Sequence, residues 1–290
     1  MKPPPFQYHR PQSVADALRC LADHENARVL AGGQSLMPML NLRIAYPDHL
    51  VDLGSIADLA YIREDGDEIA IGAMTAQRTI EFSGLVARRL PLMAEAILSV
   101  GHRQTRNRGT IGGSLCHLDP SAELALMATV YGATIVIAGP GGDRRLAMHE
   151  FAAGYMSPAI ETGEIVTEVR FEPWAPGHGW GFTEIARRRG DFAIVAAAAL
   201  VELEGDGRIR RAALALGGVA PVPLRVAAAE EALAGRIADD ALLARATAAC
   251  ADVEPLEDAH VAPWYRRRPA PRLAQRVLAD ACRRARETRA

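Results

Sequence analysis

Two short glycine segments carry residues that could do chemistry. Residues 31–36 read AGGQSL and residues 111–116 read IGGSLC, each a glycine pair after an apolar residue with a serine within two positions. A backbone amide approaches an anionic oxygen closely only where no side chain intervenes, and glycine also supplies the left-handed torsions of a tight turn. Where a helix starts next, its free amides and dipole favour negative charge. Gly32 and Gly33 satisfy the first requirement, and Ser35 can donate its hydroxyl or cap the helix. One such turn most often just connects two elements. Two in one chain could hold a pyrophosphate from both sides. Neither turn is GxGxxG or GxxxxGK[ST], so neither the Rossmann fingerprint nor a Walker loop is present.

Around the second pair, RNRGTIGGS adds Arg106, Asn107 and Thr110 as polar side chains. Glu123 lies eleven residues after Gly112, at the start of a helical pattern. A carboxylate there suits sugar-like hydroxyls, and it equally suits the helix dipole with no ligand at all. His102 and His117 flank the segment. They could shuttle protons, but a hydrogen-bonding loop role is the commoner one. Met37 and Met39 read as packing, and the RRR runs at 187–189 and 266–268 read as solvated or subunit-facing charge.

The elements that must position these residues follow from periodicity. SVADALRCLADH is helical, with Ser13 as its cap. ARVLA (27–31) and LVDLG (50–54) read as strands. The first fifty-odd residues are therefore β-α-β around one glycine turn, with Pro38 tolerated in the first turn of the short helix that follows. DEIAIGA is a strand. TAQRTIEFS is a helix capped by Thr75, and PLMAEAILSVG is a helix ending on Gly101. HRQTRNRGTIGGS is a polar connection. PSAELALMATVYG is a helix with Pro120 first and Gly132 at its end. TIVIA is a strand, and EIVTEVRFE is a long edge-like strand. PWAPGHG at 173–179 is the linker candidate. Beyond it come three strand-like segments, WGFTEIARR, FAIVAAAALVELE and RIRRAALALGG, followed by helices.

The totals set limits. The chain has 290 residues, is 49% hydrophobic and 23% charged, and carries a formal net charge of −2, which gives nucleic acid or an anionic membrane no electrostatic handle. No apolar run approaches the roughly 18–20 residues of a bilayer span, and MKPPPFQYHRP lacks the apolar core of a secretory signal. The four cysteines (Cys20, Cys116, Cys250 and Cys282) lie far apart, show no CxxC or Cys/His ligand spacing, and read as reduced cytosolic thiols. Iron–sulfur clusters need grouped cysteines, so any cluster must sit on another chain, and no metal site is expected here.

AGGQSLMPMLNLR, then GHRQTRNRGTIGGSLCHLDPSAEL, then ARRRGDFAIVAAAA, in that order, resemble the FAD-binding medium subunits of the molybdenum hydroxylases, from about Phe6 to the C-terminal helix. GGVAPVPLR at 217–225 fits that family's C-terminal domain. The resemblance implies an α+β chain: a two-part FAD-binding domain with a small βαβ lobe (1–55) and a larger mixed lobe (56–173), then a C-terminal domain (174–290) with a three-stranded antiparallel sheet and helices. It implies FAD held by Ala31, Gly32, Gly33, Gln34 and Ser35 on one side and by Thr110, Ile111, Gly112, Gly113 and Ser114 on the other. Glu123 would meet the flavin's sugar-like chain, Phe192 would lie close to the isoalloxazine with Asp191 nearby, and Ile165 would touch flavin. No residue is assigned to catalysis. A large subunit with molybdenum cofactor and a small subunit with two [2Fe–2S] clusters would complete a heterotrimer, paired into a dimer of trimers in the cytoplasm. Three positions depart from the family: Glu184 stands where several relatives carry lysine, Thr105 where an aliphatic is usual, and Leu118 where alanine is usual. A stand-alone flavin oxidoreductase is the alternative, but it would need its own acid/base pair, and none is evident. A non-catalytic nucleotide-binding or assembly module is the other.

Overall fold

The computed structural model describes residues 2–255, 257–259 and 261–288, so the outermost ends of the predicted first and last domains, residues 1 and 289–290, lie outside it. The architecture is α+β. At the N-terminus, strands Gln7–His9, His49–Asp52 and Ala27–Leu30 form a parallel sheet with His49–Asp52 in the centre. Helix Val14–Asp23 makes the crossover, and the Ser13 side chain accepts from the Asp16 amide as its cap. The sequence reading missed Gln7–His9, which is only three residues long and mostly exposed.

The second sheet is antiparallel, in the order Ile62–Asp65, Glu68–Gly72, Ile165–Phe171, Thr134–Gly139, Gly142–Ala147. EIVTEVRFE is thus the middle strand, not an edge. Its charges can sit there because they are neutralised in place. The Arg170 guanidinium donates to Glu168 (2.7 Å), Glu68 (2.7 Å) and Asp65 (2.6 Å), and the Tyr61 hydroxyl donates to Glu168 (2.6 Å). Burying a charge is tolerable when it is paired and hydrogen-bonded.

The third sheet runs Gly179–Ile185, Val195–Leu203, Ile209–Gly217, Leu224–Arg225, all antiparallel. It therefore has four strands rather than three, the last only two residues long. The alanine-rich strand has a packing reason. Ala196, Ala198 and Leu200 face the core shared with the second sheet, while Ala197, Ala199 and Val201 face the helices of the C-terminal part. A strand buried on both faces reads as a continuous apolar run. Small residues also let helix Ala270–Glu287 approach closely: a Cβ on Gly179 would lie 1.7 Å from the Ala281 carbonyl oxygen, and one on Gly181 would lie 2.3 Å from that of Val277.

Several helix boundaries shift. The helix after Thr75 spans Gln77–Glu81, and the Thr75 hydroxyl donates to the Tyr61 carbonyl instead of capping it. Helix Pro91–Ala96 gives way to turns before Gly101, which is left-handed at φ +48°. Helix Glu123–Tyr131 starts three residues after Pro120 and ends, as expected, at a left-handed Gly132. The stretch read as a polar connection folds into two helices, Arg103–Arg108 and Ile111–His117.

Candidate functional site

The first glycine turn joins strand Ala27–Leu30 to helix Leu36–Asn41. Gly33 is left-handed at φ +72°. Gly32 is in close contact with the second segment: a Cβ there would lie 2.0 Å from the Arg108 carbonyl oxygen and 2.8 Å from Gly109 Cα. Across the same seam, a Cβ on Gly113 would lie 3.2 Å from Ala31 Cβ. The two glycine segments, far apart in sequence, therefore touch.

Beside this contact is a cavity of about 330 Å³ lined by Tyr8, Leu30, Ala31, Gly32, Gly33, Gln34, Met37, Asp52 and Arg108. Among the described residues, the amides of Gly32, Gly33, Gln34, Ser35 and Leu36 have no backbone partner. The Ser35 hydroxyl makes no cap hydrogen bond. Arg108 makes no ion pair among the described residues. Tyr8 donates its hydroxyl to Asp52, whose other oxygen accepts from the Gly54 amide. The free amides of Gly32, Gly33 and Gln34 and the Arg108 guanidinium at one polar cavity, with the Ser35 hydroxyl on the same turn, suit a phosphate-bearing ligand.

The second segment is built differently. Thr110 caps helix Ile111–His117 by accepting from the Gly113 amide at 3.1 Å. The amides of Ile111, Gly112 and Ser114 donate to Thr75, Ala73 and Thr110 carbonyls. Gly112 is small because Ala73 lies against it, with an added Cβ only 2.6 Å from Ala73 Cβ. Ile111 is fully buried in the core. In this structure the second segment offers a closely packed wall and the side chains of Thr110 and Ser114, not a row of free amides.

The remaining predicted residues separate. Arg106 is not at the cavity. It is buried, donates to Glu81 at 2.9 Å and to the Val100 carbonyl at 2.9 Å, and holds the helices together. Ile165 is 2% exposed, in the apolar seam with Ala17, Leu21, Val51, Leu53, Ile56 and Leu59, and is not brought to the cavity. Asp191 pairs with Arg188 at 3.2 Å at the tip of the loop between strands Gly179–Ile185 and Val195–Leu203. Phe192 is exposed on that same loop. Gly190 seats the loop on the second segment's approach, where an added Cβ would be 2.5 Å from the His102 ring.

Two carboxyls lie deep beside the loop. Glu123 is buried, and desolvation pushes its pKa up to about 8, with the nearby charges of Glu184 and Asp119 adding to the shift. Glu184 is raised by burial, partly offset by a hydrogen bond from the Ser99 hydroxyl, and its Oε2 is buried without a partner. Leu118 is fully buried and takes a left-handed conformation as the C-cap of helix Ile111–His117.

Arg108, Tyr8 and Asp52 were not singled out in the sequence. Arg108 lies within the RNRGT motif, but only the contact between Gly32 and its backbone turns its side chain into a cavity wall.

Residues 4–174 match the family model for the FAD binding domain in molybdopterin dehydrogenase, and residues 180–281 match that for the CO dehydrogenase flavoprotein C-terminal domain. The chain is 37% identical over 280 residues to the carbon monoxide dehydrogenase medium chain of Hydrogenophaga pseudoflava, covering 96% of this chain and 97% of that one. It is 37% identical to the 6-hydroxypseudooxynicotine dehydrogenase complex subunit alpha of Paenarthrobacter nicotinovorans, covering 100% and 98%. Among solved structures, carbon monoxide dehydrogenase from Hydrogenophaga pseudoflava superposes with a TM-score of 0.95 at 38% identity, covering 98% of this chain and 99% of that chain. Quinoline 2-oxidoreductase from Pseudomonas putida superposes with a TM-score of 0.94 at 36% identity, covering 98% and 99%. These matches define the class, a flavin-binding component of an oxidoreductase. The chain belongs to the FAD-binding medium subunits of the molybdenum hydroxylases.

Proposed function

We propose that this chain holds FAD for a cytoplasmic molybdenum hydroxylase complex, a dimer of heterotrimers with a large molybdenum-cofactor subunit and a small [2Fe–2S] subunit. The observation that carries the reading is the cavity at Gly32–Gly33, where free amides and the Arg108 guanidinium face one polar space. That donor set fits a pyrophosphate, so the fold and the cofactor agree at the point where they can be compared. The chemistry FAD supplies when bound is electron uptake in ones or twos, which in the proposed complex links the partner's clusters to an external acceptor.

The chain's own residues bind and orient. The amides of Gly32–Ser35 and the Arg108 guanidinium hold the diphosphate, and the Ser35 hydroxyl adds a neutral donor. Thr110, Ile111, Gly112, Gly113 and Ser114 are proposed to form the opposite wall, the two glycines letting it pack closely on Ala73 and Ala31. Glu123, largely protonated near neutrality, can donate to a sugar-like hydroxyl as well as accept from one. Phe192 and Asp191, on the exposed loop seated on His102, are proposed to flank the ring system. Ile165 is proposed to act only through the seam that sets the lobe's position. The proposed divisions at residues 55 and 173 give each of the three parts its own sheet.

Purification of the complex tests the reading. One FAD per copy of this chain is expected on extraction, and a stoichiometric complex that yields none overturns it. Arg108→Ala should weaken FAD binding by about 10–100-fold, since a charge-assisted hydrogen bond is worth about 1.5–3 kcal/mol. Arg108→Lys should recover part of the loss. Unchanged affinity in Arg108→Ala removes Arg108 from the site.

A further inference from the structure

One group of side chains is not among those lining the cavity at Gly32–Gly33. On the first lobe, His9 from the edge strand, His24 from the helix end and His49 from the central strand form a stack of three imidazoles. His9 and His24 ring centroids are 4.4 Å apart, His24 and His49 4.3 Å, and His9 and His49 5.2 Å. Cys20 lies one helical turn before His24, with its Sγ 3.8 Å from His24 Nδ1. One ligand atom each from His9, Cys20 and His24 lie within 4.8 Å of one another, and all three residues are half-buried. The sequence reading saw no Cys/His ligand spacing, yet Cys20-x-x-x-His24 is such a spacing on one helix face. The two outer histidines come from strands whose pairing only the fold reveals.

We propose that His9, Cys20 and His24 form a divalent transition-metal site suited to Zn²⁺, with His49 as the positioning residue for His9. Imidazole nitrogen and thiolate sulfur form the donor set that Zn²⁺ takes in tetrahedral coordination. The hydrogen bonds already orient the ligands. His24 Nδ1 bonds the Cys20 carbonyl at 2.8 Å, which leaves its Nε2 lone pair for a metal. His9 Nε2 shares a hydrogen bond with His49 Nδ1 at 2.9 Å, which leaves His9 Nδ1. A ligating histidine typically engages its other nitrogen in this way. Binding releases the Cys20 thiol proton to water and leaves a thiolate on the metal. The ligands come from the first strand and the crossover helix, and His49 from the strand between them and the glycine turn. The ion would therefore fasten the lobe that carries Gly32 and Gly33.

The test uses the tag-free full-length chain, stripped with a chelator and dialysed against micromolar Zn²⁺. One zinc per chain is expected, falling to none in His9→Ala and in His24→Ala, and binding weakened about 10–100-fold in His49→Ala. Co²⁺ in place of Zn²⁺ should give a thiolate charge-transfer band that Cys20→Ser abolishes. FAD content, measured on the same samples, serves as the fold control and reports separately on the flavin reading. Substoichiometric zinc in the wild type, or equal zinc in a His9→Ala/His24→Ala double variant that retains FAD, overturns the site.

Discussion

Gly32→Val should lower FAD retention sharply while Gly141→Val should leave it intact. A Cβ at residue 32 would sit 2.0 Å from the Arg108 carbonyl oxygen, 2.7 Å from its carbon and 2.8 Å from Gly109 Cα. All three are backbone atoms and cannot rotate away. The first turn must then separate from the second segment, at a cost of about 1–3 kcal/mol in strain. The separation withdraws the free amides and moves Arg108. Losing two or three hydrogen bonds of about 1–1.5 kcal/mol each corresponds to a fall in affinity of roughly 30- to 2000-fold. Gly141 is a fair control because an added Cβ there meets nothing within 4 Å. Gly33→Val is a poorer test. Gly33 is left-handed and its nearest neighbour is the Met37 side chain, so that variant is strained whether or not FAD is bound. FAD extracted per chain, alongside a thermal melt, checks the prediction. A folded Gly32→Val chain with one FAD refutes the joint role of the two segments.

Glu123 makes a contribution to the stability of the FAD-free chain that should fall as pH rises from about 4.5 to about 8, and Glu123→Gln should remove that contribution. The sign follows from the pKa. Burial raises the folded Glu123 from its ordinary 4.5 to about 8. Between those values the unfolded chain has released the proton and the folded chain has kept it, so the folded state binds more protons and loses stability with rising pH. The stabilisation is fully present below 4.5 and gone above about 8. At roughly 1.4 kcal/mol per pH unit, the loss across that window is on the order of 5 kcal/mol. Glutamine is neutral at every pH and close in shape, so the variant's denaturation midpoint should fall less steeply with pH than that of the parent chain. Urea titrations of both chains across the window check this. An equal slope in the two chains assigns the dependence to other groups.

The departure at Glu184 belongs to the same physics. Glu184 is a second buried carboxyl, and its charge raises the proton affinity of Glu123. Glu184→Lys should bring the Glu123 carboxyl back down, because a cation nearby favours the charged form.

Local sequence determined a good deal about this protein. The two glycine pairs, the RGDF loop and their order identified the family, because sterically demanding turns tolerate few residue types. Ser13 as a cap, Gly132 as a helix end and a strand within 67–73 were legible because caps and short apolar runs are local signals, but the alternation expected there is absent, since the strand is buried on both faces. The tertiary structure decided the rest. It made EIVTEVRFE a central strand, because partners from other strands neutralise its buried charges. It took Arg106 from the site to Glu81 and put Arg108 in its place. It showed that Gly112 is small for the sake of Ala73. It also brought His9, His24 and His49 into one stack. Those outcomes depend on which distant backbones come into contact, and a side chain's partner across such a contact leaves no periodic trace in the sequence around it.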